Sequence, residues 1–498
     1  MTEALFILII SVILIAGFTK PSQNQLPYQI IPLTFIAGAL MLLLFVFLRF
    51  LSEKFPFLIT GKCFAILSIA YGLLLLIVSL TNRNSPASFY DYEVCYNSAM
   101  EYARTGTVSY PMYFSMNPHN WKCTLVLSWI MRSAFALGMN DPYPLILAVN
   151  LIIIISALFA CRYLLNVFLP GEKHLSLMLL ACFVTCLPMY AYVQAFYSDG
   201  ASFGGAVTGL SLAHFAVNRI KRKQIRIPVL LSSGVILAFG ALMKITSIIA
   251  VTAVIIYYLF VNVREDDKPE SGPSLRSSLF SAAIISIGFI VLYFVFEQVC
   301  SRSSWYAEGE IYNGPAISYI AMGLKENGTY IENREFRQYL DSLVYSEAKT
   351  EYSMEYIKEN ASYFVNPDHL VRKIRANYAS GVLGASDFAY YGYEKDTILS
   401  RIFHPYGDLY WNGSKYCMIW MFQIYLIMLI GAVRNLFRKE KQTCAPIMIS
   451  ELTFIGYFLF LMVWEANNRQ LFNMLPILLV GYAVSISQVR ISSLKCKR

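Results

Sequence analysis

Two acids sit in polar segments that border long apolar runs. Asp91 lies two residues before Glu93, and Asp199 lies in the segment 195–200. A carboxylate at such a boundary can act as general base toward an incoming hydroxyl, or hold a divalent metal. The same positions also fit plain helix starts. Ser88 can cap a helix running from about Phe89 to Gly106, with Asp91 complementing its dipole, and Asp199 can cap a helix opening at Gly200. Neither acid has metal-ligand spacing.

Two cations accompany them. Lys244 interrupts the apolar run 229–261, and Arg469 follows Glu465 by four residues in 464–470. An ammonium or guanidinium at a membrane boundary can neutralise a phosphate. The simpler readings are snorkelling for Lys244 and an i,i+4 pair between Glu465 and Arg469. Glu465 and the loop residues His404, Tyr406 and Asp408 are further pocket candidates. The chain has no Walker loop, no GxGxxG, no HExxH and no GxSxG, so no nucleotide cofactor is expected.

The elements that must position these residues follow from composition. Of 498 residues, 57% are hydrophobic and 14% charged, where a soluble domain has about a quarter charged. Mean hydropathy is +0.52. The expectation is an all-α polytopic membrane protein, its partner the lipid bilayer, with about 12 transmembrane helices of roughly 20 residues each. The runs are 4–18, 30–51, 63–80, 143–169, 175–193, 200–217, 228–243, 245–263, 278–298, 416–433, 446–464 and 470–487. Segment 122–138 is apolar but carries Lys122 and Arg132, and is read as an interfacial helix. The ten cysteines form no CxxC pair, which leaves a Cys95–Cys123 disulfide open.

The net charge of +9 is read as a topology signal, with no nucleic-acid partner. The runs 218–226 and 434–442 are strongly basic and the tail ends with Lys495, Lys497 and Arg498, so all three belong in the cytoplasm. Both termini are then cytoplasmic, and Asp91, Asp199, Lys244 and Arg469 reach the outer face. The chain divides into N-terminal helices (1–80), an outer loop with interfacial helices (81–142), a central bundle (143–298), a small, mostly helical extracytoplasmic domain (299–415) and C-terminal helices with a basic tail (416–498). Helical spacing is clearest at 332–361.

With these residues in view, the chain resembles the GT-C superfamily of integral-membrane glycosyltransferases, in the bacterial branch similar to protein O-mannosyltransferases. The resemblance rests on Asp91, Tyr96, Ala99 and Gly106, on 110–120, on Tyr197, Ser198 and Asp199 with Lys244, Ile245 and Thr246, and on Phe460–Glu465 with Arg469, Leu475 and Pro476. The segment 318–324 also looks like one found in Gram-positive members. The pattern departs in having two extra N-terminal spans, an outer domain ahead of the last three spans, and Tyr92 between the two acids. The resemblance implies transfer of a sugar from a polyprenyl-phosphate or -diphosphate donor to a glycan, lipid or protein acceptor on the outer face. Asp91, Asp199 and Glu93 would be the catalytic acids, with a divalent metal on Asp91 and Asp199 as one option, and Lys244 and Arg469 the phosphate clamps. A lipid-linked polysaccharide polymerase or ligase and a polar-lipid transporter are the alternatives.

Overall fold

The computed structural model describes residues 2–19, 27–83, 91–260, 275–302, 314–329, 332–389, 397–437 and 445–488. Ser88, Phe89 and the tail lysines lie outside them, as does most of the basic run 434–442. Among the described residues the structure is helical, without strands.

The N-terminal third holds α1 (Thr2–Thr19), α2 (Pro27–Lys54), α3 (Gly61–Thr81), α4 (Asp91–Thr105), α5 (Pro111–Met116), α6 (Pro118–Ala136) and α7 (Tyr143–Phe168). The centre holds α8 (Leu175–Thr185), α9 (Leu187–Tyr192), α10 (Ser198–Ala201), α11 (Gly205–Arg219), α12 (Lys223–Met243), α13 (Ser247–Phe260) and α14 (Leu275–Ser301). Then come α15 (Ala316–Met322), α16 (Arg334–Ser342), α17 (Ser346–Asn360), α18 (Pro367–Tyr378), α19 (Ala385–Ala389), α20 (Ile398–Phe403), α21 (Tyr410–Leu436), α22 (Ala445–Val463) and α23 (Leu475–Gln488).

Nine stretches among the described residues are long and apolar enough to cross a membrane, and three shorter apolar helices (175–185, 247–256 and 447–463) accompany them. Together they fall on the twelve runs expected. A lipid-embedded backbone must satisfy its own polar groups, which is why such runs become helices. The run 175–193 is not one helix: Cys186 is extended (φ −74°, ψ 90°) and Pro188 sits in the first turn of α9. The break belongs to the proline, which has no N–H to give the carbonyl four residues back and whose ring crowds that carbonyl. Segment 122–138 is part of α6, which begins earlier, at Pro118, and is not among the long apolar helices. Its Lys122 pairs with Glu297 of α14.

Burial orders the bundle. The apolar window of α23 is fully buried, whereas only 17% of the α14 window and 22% of the α2 window are. The core therefore runs along α23, with α21 and α22 against it, and α2 and α14 offer apolar flanks to lipid. Close crossings use small residues, as van der Waals packing between membrane helices favours. A Cβ on Gly234 of α12 would lie 2.0 Å from the Ile285 carbonyl oxygen, and one on Gly288 of α14 would lie 2.4 Å from that of Leu231.

The helical spacing at 332–361 corresponds to two helices, α16 and α17. Phe336, Leu340 and Tyr356 join Ala321 and Met322 of α15 in a small apolar core separate from the main one. Cys95 and Cys123 are buried free thiols, so the disulfide left open by the sequence is not formed.

Candidate functional site

Asp91 opens α4, and its Oδ1 accepts a hydrogen bond from the Tyr113 hydroxyl at 2.7 Å. The Tyr113 oxygen accepts in turn from Asn120 Nδ2 at 2.8 Å, and Tyr197 donates its hydroxyl to Asn120 Oδ1 at 2.7 Å. One buried amide thus locks two tyrosines, tying α4, α5 and α6 to the segment before α10. The network orients Asp91 from outside its own helix, which a dipole role alone would not need.

Asp199 lies in the first turn of α10 with no exposed surface. It makes no cap hydrogen bond, and the N-cap residue is Tyr197. Its two oxygens face cations instead: Lys244 Nζ is 3.2 Å from Oδ1, and Arg469 Nε is 3.0 Å from Oδ2. Arg469 also donates from Nη1 to Asp387 Oδ2 at 3.0 Å, and its guanidinium lies over the Tyr197 ring at 5.0 Å. Tyr197 therefore touches both networks. Lys244 ends α12 in an extended conformation, at the turn into α13, and it packs inward onto Asp199 instead of snorkelling. Arg469 does not pair with Glu465, because residues 465–467 are not helical and the i,i+4 geometry is absent. Gly384 is left-handed (φ +72°), and a Cβ there would meet Arg469 Cβ at 2.6 Å, so the backbone around Asp387 can approach the arginine only as glycine.

These groups border one cavity of about 710 Å³, lined by Asp91, His119, Tyr319, Asp387, Glu465 and Arg469 among others. Its size falls within the roughly 300–1,000 Å³ usual for small-molecule sites. Tyr319 donates to or accepts from His119 Nδ1 at 3.1 Å and stacks on Trp464 with ring centres 5.3 Å apart. Burial raises the pKa of Asp387 against the opposing pull of Arg469; its carboxylate is enclosed by protein while still open to the cavity. Burial raises Glu465 too, opposed by Asn467, which donates at 3.3 Å, and by Arg469. Desolvation, with Lys244 nearby, holds His119 below its ordinary value, although the residue keeps an exposed edge. Below the cavity, fully buried Lys373 donates to the Gly323 carbonyl at 2.8 Å, and burial pushes its pKa down to about 7, opposed by Glu465.

Of the residues expected from sequence, Asp91, Arg469 and Glu465 line the cavity, and Asp199 and Lys244 stand directly behind Arg469. Four do not join them. Glu93 points along α4 and accepts from Asn97 at 3.3 Å. His404 Nδ1 accepts from the Tyr406 amide at 3.2 Å within a local turn, and Tyr406 is 80% exposed. Asp408 is engaged by Arg401. Asp387 carries no sequence motif, while His119 and Tyr319 fall in the segments 110–120 and 318–324 without a site role assigned to them. The only trace of Asp387 is the glycine-rich stretch 381–384 ahead of it.

Among the described residues no group of three or more His, Cys, Asp or Glu side chains could hold a metal. Asp199, with a cation against each oxygen, does not fit the role of metal ligand.

The long apolar helices define a polytopic helical integral membrane protein. Residues 33–490 match the family described as conserved hypothetical integral membrane protein, and the chain belongs to that family. No curated protein and no solved structure matches it.

Proposed function

We propose that the protein is a membrane glycosyltransferase of the GT-C kind. It moves a sugar from a polyprenyl-phosphate or -diphosphate donor to an acceptor hydroxyl on the extracytoplasmic face. The observation that carries this reading is the presence of Asp91 and Arg469 in the wall of the same cavity. A base for the nucleophile and a cation for the leaving phosphate are the two groups this chemistry needs most.

In this reading Asp91, steadied through Oδ1 by Tyr113, takes the acceptor proton on Oδ2. The acceptor oxygen bonds to the anomeric carbon as the carbon–oxygen bond to phosphate breaks. The phosphate leaves with the electron pair, and its charge meets Arg469, with Lys244 behind. In the resting state Asp199 and Asp387 balance the two cations. Asp387 holds one edge of the guanidinium, at 3.0 Å, until the phosphate takes its place. Asp199 acts as a positioning residue, not as a second base. The positive-inside bias of 218–226 supports placing the cavity on the outer side, with both termini inside.

The test is sugar transfer from radiolabelled polyprenyl-phosphate sugars by the full chain in nanodiscs. Asp91→Asn is expected to lower the rate about 10²–10⁴-fold, the usual range for loss of general-base catalysis. Transfer unchanged by that substitution removes Asp91 from the role. Absence of transfer from every carrier, together with donor lipid crossing the bilayer in proteoliposomes, favours a transporter.

A further inference from the structure

A second cavity lies at the opposite end of the helices that lead to Asp91. Helix α3 runs from Gly61, beside this pocket, to Thr81, the last helical residue before α4, and its 21 residues span roughly 30 Å at 1.5 Å per residue. Helices α2 and α7 end at the same level. Arg49 and Glu53 of α2, Ile59 ahead of α3, and Lys173 and His174 ahead of α8 border a pocket of about 350 Å³. It is therefore separated from the Asp91 cavity by about the thickness of a bilayer.

The rim of this pocket is more basic than its own acids can balance. The stretches 49–62 and 162–174 hold five lysines and arginines against two glutamates. Both glutamates are engaged within the rim: Arg49 Nε is 3.1 Å from Glu53, and His174 Nε2 is 3.3 Å from Glu172. Lys62 and Lys173 are exposed. Arg162 is half-buried on α7, with its guanidinium over the Phe64 ring at 4.4 Å. Its Nε is enclosed and meets no hydrogen-bond partner, and among the described residues no carboxylate pairs with it. A Cβ on Gly61 would stand 3.8 Å from Arg162 Nη1, so the guanidinium lies beside the first residue of α3, the positive end of that helix. An enclosed charged donor without an acceptor is costly, and here neither a side chain nor a helix end offsets it.

The surroundings point to the kind of anion. Only 22% of the apolar window of α2 and 28% of that of α3 are buried, so both helices offer most of that surface to lipid. Phe55 and Phe57, in the turn between them, are exposed, as are Ile66 and Ile69 on α3. Exposed aromatic rings at the end of a span sit at headgroup depth, where the phosphates of the leaflet lie. We propose that this rim binds the headgroup of an anionic phospholipid, with Arg162 gripping the phosphate through its planar fork and Lys62 and Lys173 adding to the positive field. The site uses neither Asp91 nor Arg469 and does not rest on the glycosyl-transfer reading.

The experiment titrates the full chain in detergent micelles with phosphatidylglycerol and with phosphatidylcholine of the same acyl chains, and reads bound lipid by native mass spectrometry. Phosphatidylglycerol is expected to bind about tenfold more tightly, the scale of one charge-assisted hydrogen bond. Arg162→Gln should remove most of that preference. Lys173→Gln, at an exposed position that folding does not depend on, should remove part of it. Lys221→Gln, in the separate basic run after α11, should leave it unchanged. Equal binding of the two lipids overturns the proposal. So does a preference that survives Arg162→Gln and Lys173→Gln together, or one that falls as far with Lys221→Gln. Glycerol 3-phosphate serves as the soluble source of the same phosphate. If it binds as tightly as phosphatidylglycerol, the assignment to a lipid is overturned.

Discussion

Removing Arg469 gives the sharpest test of how the charged centre is held. Asp199 is wholly buried, with Arg469 at 3.0 Å and Lys244 at 3.2 Å. At an effective dielectric of about 20, each contact is worth about 5 kcal/mol of gross attraction, most of it offset by desolvation. Truncating one partner of a buried pair costs about 3–5 kcal/mol, because the other charge stays buried. Arg469→Gln strands both Asp199 and Asp387, but Lys244 remains against Asp199, so about 3 kcal/mol is expected. Asp199→Asn leaves Arg469 still paired with Asp387, and about 2 kcal/mol is expected. The double variant should be less damaged than the two singles combined, by about 1.5 kcal/mol, because the second change removes the stranded charge. The assay is equilibrium unfolding in mixed micelles, followed by tryptophan fluorescence, as a double-mutant cycle. Additivity within about 0.5 kcal/mol would refute the direct Asp199–Arg469 coupling.

Lys373 gives a pH signature. The unfolded chain keeps this lysine protonated up to its ordinary value of 10.5, while the folded protein releases the proton at about 7. Between those values the unfolded state binds more protons, so stability should rise with pH across that window, and Lys373→Met should flatten the rise in melts at pH 7 to 10. Glu465 acts with the opposite slope: its folded pKa lies above 4.5, so its contribution falls as pH leaves the acid range. Gly288→Ala should cost about 1–3 kcal/mol through overpacking, seen as a lower melting temperature, since its Cβ would meet the Leu231 carbonyl at 2.4 Å. In a background lacking other exposed thiols, Ser109→Cys should react with an impermeant maleimide added to intact cells and Lys221→Cys only after lysis. The reverse pattern would invert the topology.

The bundle was legible in the chain because its signal is local. A run of about 20 apolar residues must become a helix in lipid whatever its neighbours do, and the twelve runs reappear as nine long stretches and three shorter helices. Breaks at Lys244 and near Pro188 are likewise local, although only the first was read in advance. Asp91, Asp199, Lys244 and Arg469 stood out because a charge beside an apolar run is costly unless something uses it.

What those charges do was decided by tertiary contacts. Spacing suggested that Arg469 pairs with Glu465 and that Asp199 caps a helix. Instead Arg469 reaches Asp199, 270 positions away in the numbering, and Asp387, brought near by a left-handed glycine. His404 and Tyr406 were pocket candidates in sequence as well, but a local turn keeps them with one another. Sequence by itself determined the helices, their apolar character and which residues lie at their ends. Only the packed structure decided which ends meet, because the partner of a buried charge is chosen by long-range geometry and desolvation, and neither leaves a periodic trace along the chain.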